Sequence, residues 1–172
     1  MAPSAHATSY YADSAHPAPL RPPLSGLAEA DVCIVGAGYT GLSAGIALAE
    51  AGKRVVILEQ SSVGWGASGR NGGQIVHSYS RDLDVIEASY GHAVAEPLGR
   101  MMFEGAQVIR ERVTKYAIKC DLKNGGIFAA VNDFKARALV EQKTLWERWG
   151  HPGLSLVDRP DEVRKFVGTD RY

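Results

Sequence analysis

Apolar residues fall into two short runs near the start of the chain, VCIVG (Val32 to Gly36) and VVILE (Val55 to Glu59). Both are too short for helices, and the second is rich in β-branched residues, so each reads as a buried strand. Between them, YTGLSAGIALAEAG sets small residues Gly41, Gly45 and Ala49 four apart, one face of a helix closed by Gly52. A strand, a crossover helix and a parallel strand form one βαβ unit between Ala30 and about Gln74. The expected fold class is α/β: a Rossmann-like βαβ unit plus helices and the start of a mixed β domain.

Beyond Gln74 the pattern turns mostly helical. Leu98, Met101, Gly105, Val108, Arg112 and Tyr116 recur at helical spacing, predicting an amphipathic helix over Pro97 to Tyr116 with this stripe as its core face. CDLKNGGIFAAVN offers two strand runs around Asn124-Gly125-Gly126, a hairpin signal. Asp133 is placed to cap a helix with Phe134, Ala138, Leu145 and Trp149 on one stripe, ending at Gly150 and Pro152. LSLV reads as a weak strand, and Pro160 opens a last short helix that stops near Gly168. Residues 1 to 29 hold five of the eight prolines and no apolar period, so they read as an extended arm laid over the surface.

Composition narrows the class rather than the function. Lys+Arg and Asp+Glu are equal at 19 each, and hydrophobic residues make up 45%, as in an ordinary globular chain without a charge bias towards nucleic acid. Cys33 and Cys120 are too few for a disulfide framework, and Cys33 is expected to pack as a small hydrophobe. The N-terminus lacks the basic start and apolar stretch of a secretory signal, so a cytoplasmic location is expected. Residues 32–49 run 18 positions without charge, but four glycines, Tyr39, Thr40 and Ser43 dilute them too far for a membrane span.

The chemistry lies in the βαβ unit. Gly36-Ala37-Gly38-Tyr39-Thr40-Gly41 is G-x-G-x-x-G. The first glycine makes the tight turn, the second admits a pyrophosphate to the backbone, and the third lets helix pack on strand. The helix N-terminus then offers free N–H groups and a positive dipole end to the phosphates. Glu59, with Gln60 beside it, ends the second strand 18 residues beyond Gly41, where a carboxylate accepts from ribose hydroxyls and disfavours a 2′-phosphate. An ADP-containing dinucleotide fits this order of elements; NAD and FAD share it.

The next segment, GWGASGRNGGQ, packs five glycines and one arginine into eleven residues. An extended FAD needs such a second loop against its pyrophosphate, ribityl chain and ring. Gly66, Gly72 and Gly73 would admit the backbone to the cofactor, while Ser68 and Arg70 could donate to phosphate oxygens. A solvated surface loop is the plain alternative. His77, His92 and His151 lack a partner pattern, no histidine and cysteine spacing suggests a metal, and no catalytic residue can be named.

EADVCIVGAGYTGLSAGIALAEAGKRVVILEQ followed by VGWGASGRNGGQ resembles the FAD-dependent amine and D-amino acid oxidase family. SYYADSAHPAP, SYSRDLD and CDLKNGGIFAA are similar to its gamma-glutamylputrescine oxidase branch, which serves polyamine breakdown. The resemblance implies that Gly36, Gly38 and Gly41 line the pyrophosphate turn and Glu59 holds the adenosine ribose. It places Ser68, Arg70, Asn71, Gly73 and Gln74 beside the pyrophosphate, ribityl chain and ring. It implies oxidation of a small-molecule amine by hydride transfer to flavin N5, hydrolysis of the imine to aldehyde and ammonia, and reoxidation by oxygen with release of hydrogen peroxide.

Members of this family continue well beyond the point matching VGTDRY, with most of the substrate domain, which here would begin near residue 118. The chain is therefore expected to be an N-terminal part, prone to self-association or completed by a C-terminal half. Two alternatives stand beside the oxidase: a catalytically inactive dinucleotide-binding fragment, and an NAD-dependent dehydrogenase that would leave the GASGRNGG loop unexplained.

Overall fold

The computed structural model describes residues 8–17, 19, 21–151 and 153–169. They fall into two compact units, Met1–Gln74 and Ile75–Tyr172.

The first unit contains α1 (Tyr10–Ser14), β1 (Val32–Val35), α2 (Tyr39–Glu50), β2 (Val55–Leu58) and a 3-10 turn (Ala67–Gly69). β1 and β2 pair in parallel with Val32 opposite Val55 and Val35 opposite Leu58, the arrangement that the two apolar runs and their crossover helix predict. Gly52 takes φ +78° just past the α2 C-terminus, the left-handed geometry that a glycine accepts without strain. The α2 face on the sheet differs from the expected row. Gly45 is buried, and a Cβ there would stand 2.7 Å from Ile57 Cδ1, but Ala49 is exposed. Four-residue steps drift off a 3.6-residue helix, so Leu48, seven after Gly41, returns to the sheet side and is half-buried.

α2 covers one face of the sheet only. β1 alternates half-buried and exposed positions, and Cys33 and Val35 lie on the bare face, with Val35 87% exposed. Cys33 is thus exposed rather than packed: within the first unit α2 lies on the other face, and no described element of that unit covers this one. The arm also departs from a purely extended form. Ser9 caps α1 by accepting from the Ala12 N–H at 3.2 Å, a local signal that the prolines around it obscured. The expectations at residues 1–7, Pro152 and Tyr172 lie outside the described residues.

The second unit is helical: α3 (Leu83–Tyr90), α4 (His92–Lys115), α5 (Asp133–Arg148) and α6 (Pro160–Val167). α4 begins five residues before Pro97, which lies inside it, because Gly91 at φ +83° ends α3 and starts α4 in a single turn. Its buried residues are Ala95, Gly99 and Ala106, whereas Met101 is 60% exposed. Small side chains win this seam because bulk sits opposite them: a Cβ on Gly99 would lie 2.8 Å from Trp149 Cε3 and 3.4 Å from Leu83 Cδ1.

Asn132, not Asp133, caps α5, accepting from the Lys135 N–H at 2.9 Å. Leu145 and Trp149 face inward as the stripe predicts, but Phe134 and Ala138 are exposed. Neither CDLKNGGIFAAVN nor LSLV forms a strand; Gly125 keeps its turn geometry at φ +85°, but among the described residues no third strand lies in register to pair with either run. α6 closes at Gly168 in the left-handed conformation as expected. No helix among the described residues is long and apolar enough to cross a membrane.

Candidate functional site

The glycine turn between β1 and α2 calls for glycine through backbone angle at Gly36 and through close approach at Gly38 and Gly41. Gly36 takes φ +100°, and its N–H donates to the Leu58 carbonyl at 2.7 Å, fastening the turn to the end of β2. A Cβ on Gly41 would fall 2.0 Å from the Gly36 carbonyl oxygen, so the third glycine lets the helix sit directly on the turn. A Cβ on Gly38 would come 2.9 Å from Ser68 Oγ. All three glycines of the motif are thus explained by close backbone approach or positive φ.

Glu59 closes this turn from the other side. Its Oε2 accepts the Ala37 N–H at 2.8 Å and its Oε1 accepts the Ser61 N–H at 3.0 Å. The Ala37 bond above all, then that from Ser61, holds the carboxyl below the usual carboxylate range. Each carboxylate oxygen keeps acceptor capacity beyond the one bond it makes to the protein. Gln60 follows on the strand's exposed end and adds a weaker backbone contact to Glu59.

The glycine-rich loop folds back onto the same turn. The Gly64 N–H donates to the Ala37 carbonyl at 3.0 Å, and Ser68 Oγ accepts the Tyr39 N–H at 2.9 Å. Gly38 offers α2 no side-chain cap, so the Ser68 hydroxyl supplies an oxygen to the first N–H of the helix from 29 residues away. Thr40 and Gly41 follow in the first turn, where backbone N–H groups have no acceptor within the helix.

Asn71 organises the loop. Its Nδ2 donates to the carbonyls of Ala67 at 3.1 Å and Ser68 at 2.9 Å and to Tyr39 Oη at 3.1 Å, while Oδ1 accepts the Gly73 N–H at 2.9 Å. Gly66 starts the 3-10 turn through the Gly69 N–H bond to its carbonyl at 3.1 Å. Arg70 donates from Nε to the Trp65 carbonyl at 2.9 Å and stacks its guanidinium 4.3 Å from the Trp65 ring centre. Gly72 and Gly73 are exposed, Gly73 at φ +67°, and Gln74 lies beside them with Oε1 3.8 Å from where a Gly72 Cβ would be. All fourteen residues singled out from the sequence lie in the first unit, on the turn, at the end of β2 or in this loop.

The histidines do have partners, which sequence spacing could not reveal. In the second unit His77 Nδ1 and His151 Nε2 approach to 3.3 Å, with Phe103 and Trp146 against both rings. Burial first, then the His151 and Arg110 charges, holds the His77 pKa below its ordinary value. His92 Nδ1 lies 2.7 Å from Glu87 Oε1 and its ring stacks on Trp149. A cleft of about 140 Å³ lies beside this cluster, lined in part by His77, Asp82, Phe128, Trp146 and Trp149. No group of three or more metal-ligating side chains occurs among the described residues.

Comparison with known proteins shows the family of the chain. The chain is 54% identical over 167 residues to the Gamma-glutamylputrescine oxidoreductase of Escherichia coli (strain K12), an alignment covering 97% of this chain and 39% of that protein. It is 39% identical over 168 residues to the Probable oxidoreductase OrdL of Haemophilus influenzae, covering 97% of this chain and 39% of that one. The OrdL of Rhizobium meliloti is 32% identical, with 95% of this chain and 38% of that one covered. The chain thus spans about two fifths of the length of these curated relatives. No solved structure gives a significant match. The profile of the family described as FAD dependent oxidoreductase (DAO) matches residues 31–172, and the chain belongs to that FAD-dependent family.

Proposed function

We propose that this chain carries the FAD site of an amine oxidoreductase acting on a gamma-glutamylputrescine-like substrate. The observation that carries the reading is the Ser68 hydroxyl on the Tyr39 N–H at 2.9 Å, which joins the glycine-rich loop to the helix N-terminus of the dinucleotide turn. An NAD-dependent enzyme would leave that loop unexplained, and the family match is to FAD-dependent proteins. The residues fit the cofactor. The turn is bare of side chains at Gly36, Gly38 and Gly41, and the α2 terminus already holds one oxygen.

In this reading Gly38, Thr40 and Gly41 approach the pyrophosphate through the backbone, and the ionised Glu59 accepts from the adenosine ribose hydroxyls while bracing Ala37. Ser68 and Arg70 supply donors to phosphate oxygens, and Asn71 with Gly72, Gly73 and Gln74 shapes the path towards the ring. FAD, when bound, supplies the acceptor for two electrons from the carbon next to the substrate amine. The balanced reaction takes amine, water and oxygen to aldehyde, ammonia and hydrogen peroxide. The chain's own contribution is placement, holding a large cofactor in one extended conformation so that the reacting carbon meets it in near-attack geometry. A cytoplasmic setting suits this substrate.

A second reading, a dinucleotide-binding unit without catalysis of its own, is favoured by the bare sheet face bearing Val35, which suits self-association or burial beneath further chain. Incubating the FAD-loaded protein anaerobically with gamma-glutamylputrescine separates the two. Bleaching of the flavin bands, followed by peroxide on admitting air, supports the oxidase, and unchanged bands with FAD bound support the second reading.

A further inference from the structure

The proline-rich arm meets the cofactor loop at Tyr11. Tyr11 Oη donates to the Gly72 carbonyl at 3.0 Å, across 61 residues of sequence. The Tyr11 ring also lies against Gly73: a Cβ there would be 3.8 Å from Tyr11 Cε1. Gly73 sits at φ +67° with its N–H on Asn71 Oδ1, and Asn71 reaches through Tyr39 to the first turn of α2. Gly72 and Gly73 are exposed and have no side chains of their own to pin them, so the tyrosine adds to the Asn71 bond in fixing this end of the network. The arm is itself organised to present it. Ser9 caps α1, and Tyr10 crosses Tyr11 edge-on at 5.7 Å while being 78% exposed against 45% for Tyr11.

We infer that Tyr11 is a positioning residue for the FAD site: the N-terminal arm straps the Gly72–Gly73 end of the cofactor loop through the tyrosine hydroxyl and ring. The inference rests on the FAD reading above. The strap acts by restricting a glycine pair whose freedom would otherwise have to be lost when cofactor binds. Its hydroxyl touches the loop rather than the reacting atoms.

The test compares the wild-type chain with Tyr11→Phe and Tyr11→Ala, using Tyr10→Phe as the control. Hydrogen exchange of residues 71–74 is measured without cofactor, and FAD affinity is measured by flavin fluorescence. Loss of one hydrogen bond should speed exchange at Gly73, whose N–H is held by Asn71, and weaken FAD about two- to tenfold in Tyr11→Phe, with more in Tyr11→Ala and none in Tyr10→Phe. The thermal midpoint of Tyr11→Phe should stay within about a degree of wild type, since an exposed contact adds little to global stability. Unchanged exchange, or faster exchange with unchanged FAD affinity, overturns the strap while leaving the FAD site intact. Failure of the wild-type chain to bind FAD overturns the FAD reading and this inference with it.

Discussion

The Glu59 carboxylate accepts the Ala37 N–H at 2.8 Å, so the acid at the end of β2 holds the glycine turn from 22 residues away. One side chain therefore braces the glycine turn and, in the proposed reading, also keeps acceptor capacity for a ribose. Glu59→Gln retains the shape but replaces one acceptor oxygen with a donor. Isothermal titration should show FAD binding weaker by about tenfold, the scale of one charge-assisted bond. The sign of the pH effect follows from the lowered pKa. The bracing is present above the ordinary carboxylate value of 4.5 and is lost as pH falls through the lower folded value, so wild-type affinity should drop in acid more than that of Glu59→Gln.

The third glycine of the motif gives a steric prediction. Gly41→Ala would put a methyl 2.0 Å from the Gly36 oxygen, which must move the backbone, whereas a Cβ on Gly105 in α4 meets nothing within 4 Å. Urea unfolding should find Gly41→Ala destabilised by roughly 2 kcal/mol or more. Gly105→Ala should be stabilised by about 0.5 to 1 kcal/mol through helix propensity. Equal effects from the two substitutions would contradict the packing described for α2.

Arg70 is held by its Nε bond to the Trp65 carbonyl and by stacking on the Trp65 ring. A lysine cannot reproduce a planar guanidinium that stacks and donates at once. Both Arg70→Ala and Arg70→Lys should weaken FAD several-fold while far-UV circular dichroism remains unchanged. Wild-type affinity in Arg70→Ala would remove the arginine from the site.

His77 should make the second unit sensitive to mild acid. Its pKa is lowered chiefly by burial, so below the ordinary value of 6.5 the unfolded chain takes up a proton that the folded unit resists. Stability should then be full above about pH 6.5 and fall as pH drops towards the folded value. Thermal melts of His77→Gln should show a shallower slope than wild type over that window. Parallel slopes would mean that another group controls it.

Much of the first unit was legible because its constraints are local and chemical. A glycine at each of positions 36, 38 and 41 has no other economical explanation, and the two β-branched runs have only the crossover helix between them. For that reason the sequence alone assigns the fourteen candidate residues to one turn, one strand end and one loop, which is where the structure puts them. What escaped was decided by contacts distant in sequence. Ser68 as a surrogate cap for α2, Asn71 as the hub of the loop and Tyr11 on Gly72 each depend on a fold already formed. The α4 seam was misplaced because periodicity favours large apolar residues, while Trp149 and Leu83 select small ones opposite them at Gly99. The strands expected around Asn124 and at LSLV failed because strand propensity requires a partner in register.

Residues 31–74 are proposed to form a site that reads the ADP half of FAD through the glycine turn and Glu59. The most direct measurement is a titration of the purified chain with FAD, followed by competition with ADP and with FMN. Saturable binding near one FAD per chain, displaced by ADP and not by FMN, is the predicted result. Displacement by FMN but not ADP, or no saturable binding of FAD, would contradict it.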